Sequence, residues 1–407
     1  MSQIHIGIIR EGKIPPDKRV PLTPEQCVRV QQLFPAVKII VEPSEIRAFT
    51  DQEYESVGIT VSSDLSKCAI LFGVKEVPMA QLIPNKTYFF FSHTYKKQPY
   101  NRTLLQSILA KNIRLVDYEM LKDKDGFRII GFGRYAGIVG CYNAFRTYGL
   151  KTATFNLKPA HTCFDRAEMQ AQLNEVKLPN NFKMVLTGYG RVGLGAREVL
   201  TLLPITEVTP QAYLTEQFNY PVFTQLNVED YYDKPDGSSF TRQEFYDHPE
   251  GFVSTFPRYL KESDVYVSCH FWSDKSAFIA TREDFKHPKN RVSVVADVSA
   301  DIDGPIGCTL RPSTIADPIY GYNPITEQEE DYTKDGVIAV MAIDNLPCEL
   351  SRDASEFFGE ALIEKVFPPL LSGHDPDKII ERASQTNLEG KLMPKFAYLE
   401  NYVKGEE

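Results

Sequence analysis

The chain has 407 residues, 43% hydrophobic and 24% charged, with a formal net charge of -9, the balance of a globular protein long enough for two domains that each bury a core. Scattered Lys and Arg within an acidic total exclude a phosphate-neutralising nucleic-acid surface, and no apolar run reaches the about 18 residues that argue for a membrane span. Seven widely spaced cysteines with no Cys-x-x-Cys pair disfavour a disulfide framework and a zinc site, so the expectation is a cytoplasmic protein without metal, nucleic-acid or membrane partners, its cysteines buried as small apolar residues in a reducing compartment. The opening Met1-Ser-Gln-Ile-His-Ile leads into an apolar run with no basic segment ahead of it, which does not read as a secretory leader.

In chain order, Ile4 to Ile9 reads as a strand, Pro24 to Leu33 as a helix opened by Thr23 as its N-cap, and Lys38 to Val41 as a second strand. Ala69 to Val74, Thr87 to Ser92 and Ile113 to Asp117 are apolar runs of strand length, separated by Pro78, Pro84 and a helical Asn101 to Ala110. Gly137 to Tyr148 is an apolar helix rich in small residues, suited to bridging two domains. Strand and helix alternation restarts at Met184 to Thr187 and recurs at Val222 to Leu226, Val265 to Cys269, Val292 to Val298 and Gly336 to Ile343, the successive strands of a doubly wound sheet. Asp230 to Phe256 interrupts them with a polar, aromatic insertion turning at Asp236-Gly237. A lid or an oligomer contact is one reading of it, and a solvated loop packed by its own aromatics is the plainer one. Ser355 to Leu371 and the stretch Lys391 to Val403 return to helix and are expected to pack back on the first domain. The fold class is therefore α/β with two domains. Residues 137–347 form a Rossmann-type doubly wound dinucleotide-binding domain, and residues 1–136 with 348–407 form an α/β substrate domain built from both chain ends.

The dinucleotide expectation rests on Lys183-Met-Val-Leu-Thr-Gly188-Tyr-Gly190-Arg191-Val192-Gly193-Leu-Gly195, a short apolar run, glycines spaced G-x-G-x-x-G, and then a helical pattern. Gly188 permits the sharp turn, Gly190 lets a pyrophosphate approach bare backbone, and Gly193 allows close helix packing. The helix N-terminus adds N–H donors and a partial positive charge. An ordinary glycine-rich turn would leave Gly195 unexplained. The second strand ends in Asn227, where NAD-preferring enzymes place Asp or Glu; Glu229 and Asp230 are nearby acids able to substitute. No arginine follows that strand closely in sequence, so NAD is the expected cofactor and NADP is left open.

Chemistry has to come from groups that could face that cofactor. Lys75 and Glu76 follow one apolar strand and His93 follows the next, and ligands in open α/β sheets bind beyond the carboxyl ends of strands. A buried lysine and a histidine are complementary acid/base groups near neutral pH. Arg19 lies just ahead of a helix start, where it could hold a carboxylate bidentately. Glu119, beyond the strand Ile113 to Asp117, is a candidate for binding an ammonium group, and Lys96 and Gln98, close after His93, could add substrate contacts.

Arg19-Val-Pro-Leu-Thr-Pro24, Gly73-Val-Lys75-Glu76-Val-Pro78, Ser92-His93-Thr-Tyr-Lys96-Lys-Gln98, Asp297-Val-Ser-Ala-Asp301 and Asp344-Asn-Leu-Pro347 together resemble the alanine dehydrogenase and transhydrogenase superfamily. Tyr135-Ala136-Gly137, the Phe-Ser-His-Thr-Tyr-Lys-Lys-Gln segment and Arg352-Asp-Ala-Ser355-Glu356-Phe357-Phe358 look most like its lysine-forming saccharopine dehydrogenase branch. The resemblance implies catalysis in a cleft between substrate and nicotinamide domains. It implies Lys75 and His93 as the acid/base pair, Arg19 on a substrate carboxylate, and Glu76 and Glu119 tuning or contacting the amine. Asp344 matches an aspartate at the cleft of the saccharopine branch, and Asp301 sits where an alanine dehydrogenase aspartate lies near the nicotinamide. Val192 stands where a saccharopine relative has cysteine, so no redox switch is carried over. The implied activity is oxidoreduction at the CH–NH group of an amino acid, most simply saccharopine, NAD+ and water giving L-lysine, 2-oxoglutarate and NADH, or the reverse. Alanine dehydrogenase is the alternative within the class, and a non-catalytic nicotinamide-binding sensor the alternative outside it. Small amino acids and 2-oxo acids are the implied partners, with the oligomeric state open.

Overall fold

The computed structural model describes residues 3–302 and 304–406; residues 1, 2, 303 and 407, which fall inside the expected domain ranges, lie outside the described residues. The chain separates into two compact units, Met1–Phe132 with Ser351–Glu407, and Gly133–Leu350.

The first unit is built on six parallel strands, β1 (Ile4–Ile8), β2 (Val37–Val41), β3 (Thr60–Val61), β4 (Ile70–Phe72), β5 (Thr87–Phe90) and β6 (Arg114–Asp117), in the order β3-β2-β1-β4-β5-β6. A parallel sheet is covered on both faces, which is why its strands read as continuous apolar runs: Ile6, Ile8, Leu71, Phe72, Phe89 and Val116 are all buried. Helix Pro24–Leu33 starts where a capping box closes, Gln26 N–H donating to Thr23 Oγ1 and Thr23 N–H to Gln26 Oε1, with Pro24 at the first helical position. The C-terminal segment joins this unit through its own polar groups: Val20 N–H donates to Ser355 Oγ at 2.9 Å and Gln385 N–H to the Leu115 carbonyl at 2.7 Å. From β1 the chain moves outward to β2 and β3, then returns past β1 to β4, β5 and β6. The winding reverses between β1 and β4, and the carboxyl ends of those two strands are where such a sheet binds ligands.

The second unit holds β7 (Lys183–Thr187), β8 (Thr206–Glu207), β9 (Val222–Leu226), β10 (Tyr232–Asp233), β11 (Val253–Ser254), β12 (Val265–Ser268), β13 (Val294–Asp297), β14 (Tyr320–Asn323), β15 (Gln328–Glu330) and β16 (Ile338–Met341). Eight of these form one sheet in the order β15-β14-β16-β13-β12-β7-β9-β8, with β14 antiparallel to both of its neighbours. Its reversal falls between β7 and β12. Helix Gly133–Thr152 runs onto helix Arg191–Leu200 with the backbones in contact. A Cβ on Gly137 would lie 1.8 Å from the Val192 carbonyl oxygen, and one on Gly195 would lie 2.0 Å from that of Arg134. The small residues of the first helix and the fourth glycine of the motif both serve this crossing.

The Asp230 to Phe256 insertion is a folded element, which corrects its reading as a solvated loop. β10 and β11 pair antiparallel, Thr241 and Glu244 cap helix Arg242–Asp247, and Tyr231, Tyr232, Phe245, Phe252 and Phe256 are buried in the core of the unit. Phe256 packs 4.5 Å from Tyr266 of β12, so its aromatics continue the core rather than closing on themselves. All seven cysteines are buried, and among the described residues none is in a disulfide. Among the described residues no helix is long and apolar enough to cross a membrane, and no group of three or more His, Cys, Asp and Glu could hold a metal ion.

Candidate active site

At the reversal of the first sheet, acids and bases from four strand ends meet. Glu11 lies beyond β1 and accepts the Val74 and Lys75 N–H groups at 2.6 and 2.8 Å, so the residues after β4 leave the strand ladder and turn around a buried carboxyl. Burial, with Asp17 nearby, pushes the Glu11 carboxyl up to about 8. Asp17 takes the fork of Arg19, Nε at 3.0 Å and Nη2 at 2.6 Å, and both side chains are buried. Burial opposes the Asp17 charge, yet the guanidinium holds its carboxyl well below the usual carboxylate range. The Arg19 guanidinium also lies 4.1 Å above the Phe132 ring. The bidentate edge expected to clamp a substrate carboxylate is therefore held by Asp17.

Lys75 stands half-buried among these charges. Burial, then the Arg19 cation, lowers its pKa below that of an ordinary lysine, against the pull of Asp17 and Glu76. The next residue, Glu76, is shared by two partners, His93 Nδ1 at 2.7 Å on one oxygen and Lys13 Nζ at 2.7 Å on the other. Burial works against its charge, but these hydrogen bonds bring its carboxyl down to about 2. An ionised carboxylate only accepts, so Nδ1 of His93 carries a proton and Nε2 is the nitrogen left to exchange one.

His93 itself adopts φ 54 and ψ 6, left-handed for a residue with a Cβ, at a cost on the order of 1 kcal/mol. The chain on either side is tied down. Ser92 donates to the buried Asp117 through its N–H and its hydroxyl, Thr94 Oγ1 lies 2.6 Å from Gln385 Oε1, and Gln385 Nε2 donates to Asp117 at 3.2 Å. Glu119 is buried beyond β6, within 2.6 Å of the Tyr95 hydroxyl, 3.3 Å of Lys96 Nζ and 3.0 Å of Arg128 Nη2. Burial resists its ionisation, and those three partners nonetheless hold its carboxyl below the ordinary value. Gln98 is drawn elsewhere, its amide oxygen accepting from Tyr100 at 2.5 Å. Thus Lys75, Glu76, His93, Lys96, Glu119 and Arg19 are gathered in one unit. Asp344 and Asp301 belong to the other, both exposed, beyond the carboxyl ends of β16 and β13. Sequence reasoning missed Glu11, Lys13 and Asp17; the one available signal was that Glu11 follows the central strand of the sheet.

The glycine turn opens from β7 at the reversal of the second sheet. Gly188 has φ +95, and a Cβ there would strike the Cys269 carbonyl oxygen at 2.4 Å; one on Gly193 would lie 2.0 Å from the Gly188 carbonyl oxygen. Gln225 Nε2 donates to that same Gly188 carbonyl at 2.8 Å, pinning the turn to β9. Gly190 differs, since a Cβ there meets nothing within 4 Å. Gly190 is the N-cap of helix Arg191–Leu200 and makes no side-chain cap hydrogen bond. Open space at the start of a helix is the arrangement a pyrophosphate requires. His270, beyond β12, shares this strand end with its Nδ1 2.9 Å from Thr187 Oγ1, and burial lowers it to about 4, leaving it neutral. At the end of β9, the Asp230 carboxylate accepts the Asn227 N–H at 2.8 Å, and Asn227 Oδ1 accepts from Arg242 Nη2 at 2.6 Å.

Residues 7–139 match the family described as alanine dehydrogenase/PNT, N-terminal domain. The chain is 30% identical over 399 residues to an alpha-aminoadipic semialdehyde synthase of Arabidopsis thaliana, covering 88% of this chain and 37% of that protein. It is 28% identical over 393 residues to the saccharopine dehydrogenase [NAD(+), L-lysine-forming] of Schizosaccharomyces pombe, covering 92% of this chain and 94% of the other. The chain spans less than half the length of the semialdehyde synthases it matches. Among solved structures it shares its fold with an L-alanine dehydrogenase, at a TM-score of 0.65 and 15% identity with 99% of each chain covered. A transhydrogenase from Sinorhizobium meliloti follows at 0.59 and 14%, covering 96% of this chain and 98% of the other. Two doubly wound sheets, one with an acid/base cluster at its reversal and one with a dinucleotide turn at its own, define the class. The family match covers residues 7–139, the N-terminal domain of the alanine dehydrogenase and transhydrogenase family, and the chain as a whole shares the fold of that family's solved structures.

Proposed function

We propose that this protein is a nicotinamide-dependent amino-acid dehydrogenase acting on a secondary amine of the saccharopine type, forming lysine and 2-oxoglutarate or running in reverse. The observation that carries this reading is a lysine with a depressed pKa next to a carboxylate that orients a histidine, all at the reversal of one sheet. The relatives' names supply the substrate class, and the open space at Gly190 of the glycine turn fits a dinucleotide.

When bound at that turn, the nicotinamide dinucleotide supplies the hydride acceptor, or the donor in reverse. The residues of this chain then handle protons and orientation. Neutral Lys75 takes the proton of the substrate amine as the C–H bond is oxidised. Its lowered pKa keeps more of it neutral near pH 7 than an ordinary lysine would be. The resulting substrate imine needs water added and its carbon–nitrogen bond broken. His93 moves those protons through Nε2, while Glu76 holds Nδ1 and the ring orientation. Arg19, steadied by Asp17 and Phe132, contributes the positive charge that draws a substrate carboxylate. Glu119, beside Lys96 and Arg128, offers a carboxylate to the amine end of the substrate.

The test is NADH consumption in two mixtures, one with lysine and 2-oxoglutarate, the other with ammonium and pyruvate. Consumption in the first mixture is expected. Consumption only in the second would assign the protein to the alanine branch, and coenzyme binding with no turnover in either would favour the sensor reading.

A further inference from the structure

The φ of 54 at His93 lies in the left-handed region, which a residue with a Cβ keeps only where its neighbours over-determine it. The neighbours that do so come from the far end of the sequence. Residues 384–386 lie along the outer edge of β6, where Gln385 N–H donates to the Leu115 carbonyl at 2.7 Å and Thr386 Oγ1 accepts the Leu115 N–H at 2.9 Å. This docking buries Gln385 completely and brings its amide to both residues that flank His93. Gln385 Oε1 accepts from the Thr94 hydroxyl at 2.6 Å, and its Nε2 donates to Ser92 Oγ at 3.3 Å and to the Asp117 carboxylate at 3.2 Å. Asp117 in turn accepts the Ser92 N–H at 3.0 Å and, on its other oxygen, the Glu119 N–H at 2.8 Å. Farther along the same return segment, the Tyr398 hydroxyl donates to the Tyr95 carbonyl at 3.1 Å and the Tyr402 hydroxyl to the Gln98 carbonyl at 2.6 Å.

We infer that Gln385 is a positioning residue for His93: by holding Ser92 and Thr94 with one amide, it fixes the left-handed turn that presents the imidazole to Glu76 and leaves Nε2 for proton exchange. The inference rests on the reading of His93 as the group that moves protons through imine hydrolysis, and adds to it what keeps the ring in place. An amide brings one acceptor and two donors, and each is used here on the chain around His93. A leucine of similar size keeps the packing but leaves the Thr94 hydroxyl and part of the Asp117 carboxylate without a partner in a dry interior, an arrangement a protein relieves by moving the chain. The strained turn at His93 is the element free to relax, and a proton-transfer group displaced by even an ångström loses most of its effect.

The experiment compares the full-length native chain with Gln385→Leu, Thr94→Val, His93→Ala and the double variant His93→Ala/Gln385→Leu. It reads NADH consumption with lysine and 2-oxoglutarate and, in protein made with isotopically labelled histidine, the ring Nδ1–H resonance that His93→Ala removes. Gln385→Leu is expected to lower kcat by roughly 10- to 100-fold, the scale of a misplaced acid/base group, to leave the NADH Kd within about twofold, and to shift or broaden that resonance. In the His93→Ala background the same substitution should change kcat by less than about threefold, because its effect passes through the missing ring. Thr94→Val removes the donor to Gln385 while leaving Gln385 in place, and should lower kcat and move the resonance in the same way, which keeps the test intact if Gln385→Leu misfolds. A full additional fall of kcat in the His93→Ala background shows a merely structural role and overturns the inference. A native resonance and native kcat in Gln385→Leu or Thr94→Val overturn it as well. If the native chain turns over neither amine mixture, the proposed function fails, and the resonance alone decides: moved by Gln385→Leu, it supports the positioning role, and unmoved, it ends it.

Discussion

Lys75 is set among two cations, Arg19 and Lys13, and two carboxylates, Asp17 and Glu76, and the direction of its pKa is decided by burial first. If it takes the amine proton, Lys75→Met should lower kcat by roughly 10²- to 10⁴-fold, the usual worth of a positioned general base. The NADH Kd should stay unchanged, because the glycine turn belongs to the other unit. In the oxidative direction the native rate should rise with pH as the amine loses its proton, with the limb below the 10.5 of an ordinary lysine. A limb at or above that value would remove Lys75 from the role. Glu76 has the opposite sign. Its folded carboxyl is held near 2 against an ordinary 4.5, so its stabilisation is complete above about pH 4.5 and is lost as the pH falls toward 2. The upper bound is about 3 kcal/mol. Glu76→Gln should flatten that part of the acid limb in melting curves taken from pH 2 to 6, and an unchanged limb would mean that its partners contribute nothing net.

At the scale of the element, the glycines separate packing from binding. A Cβ on Gly193 would press into the Gly188 carbonyl, whereas a Cβ on Gly190 meets only open space. Gly193→Ala is expected to cost at least the ~1–3 kcal/mol of an overpacked site and to lower Tm accordingly. Gly190→Ala should leave Tm nearly untouched and weaken coenzyme binding in fluorescence titration. Equal behaviour of the two variants would contradict the assignment of Gly190 to ligand approach. Helix Pro24–Leu33 and strand β9 were legible to the residue because punctuation is local: Thr23 and Pro24 start the one, and Pro221 and Asn227 bound the other. The run Ala69 to Val74 shortens to β4, ending at Phe72, because the Val74 and Lys75 N–H groups bond to the Glu11 side chain instead of a neighbouring strand. Likewise Ser92 leaves β5 to bond Asp117. The site was legible as strand-end acids and bases. What held it was not, since Glu11 to Lys75 and Arg242 to Asn227 are contacts that no sequence period encodes. The insertion escaped for a related reason: strands of two residues and aromatics without a repeat carry no signal until Tyr266 and its neighbours are there to cover them.

Across the whole molecule, the two units differ in how the chain builds them. Gly133–Leu350 is one continuous segment, while the other unit needs both chain ends. The continuous segment owns a core that runs from Val185 through the aromatics of the insertion to Ala342, and the described residues of that core all lie within the segment. Expressed alone, residues 133–350 should therefore fold, melt cooperatively, bind NADH and show no turnover, since Lys75 and His93 are missing from it. Ligand that binds only the folded state stabilises it by about 2.7 kcal/mol at a concentration one hundred times Kd. For a segment of this size that corresponds to a Tm increase of roughly 5–10 °C. Calorimetry with and without NADH reads this directly. A fragment that melts without cooperativity would show that its core depends on residues outside the segment. A cooperative fragment that NADH does not shift would show that the glycine turn requires the rest of the chain to hold its ligand.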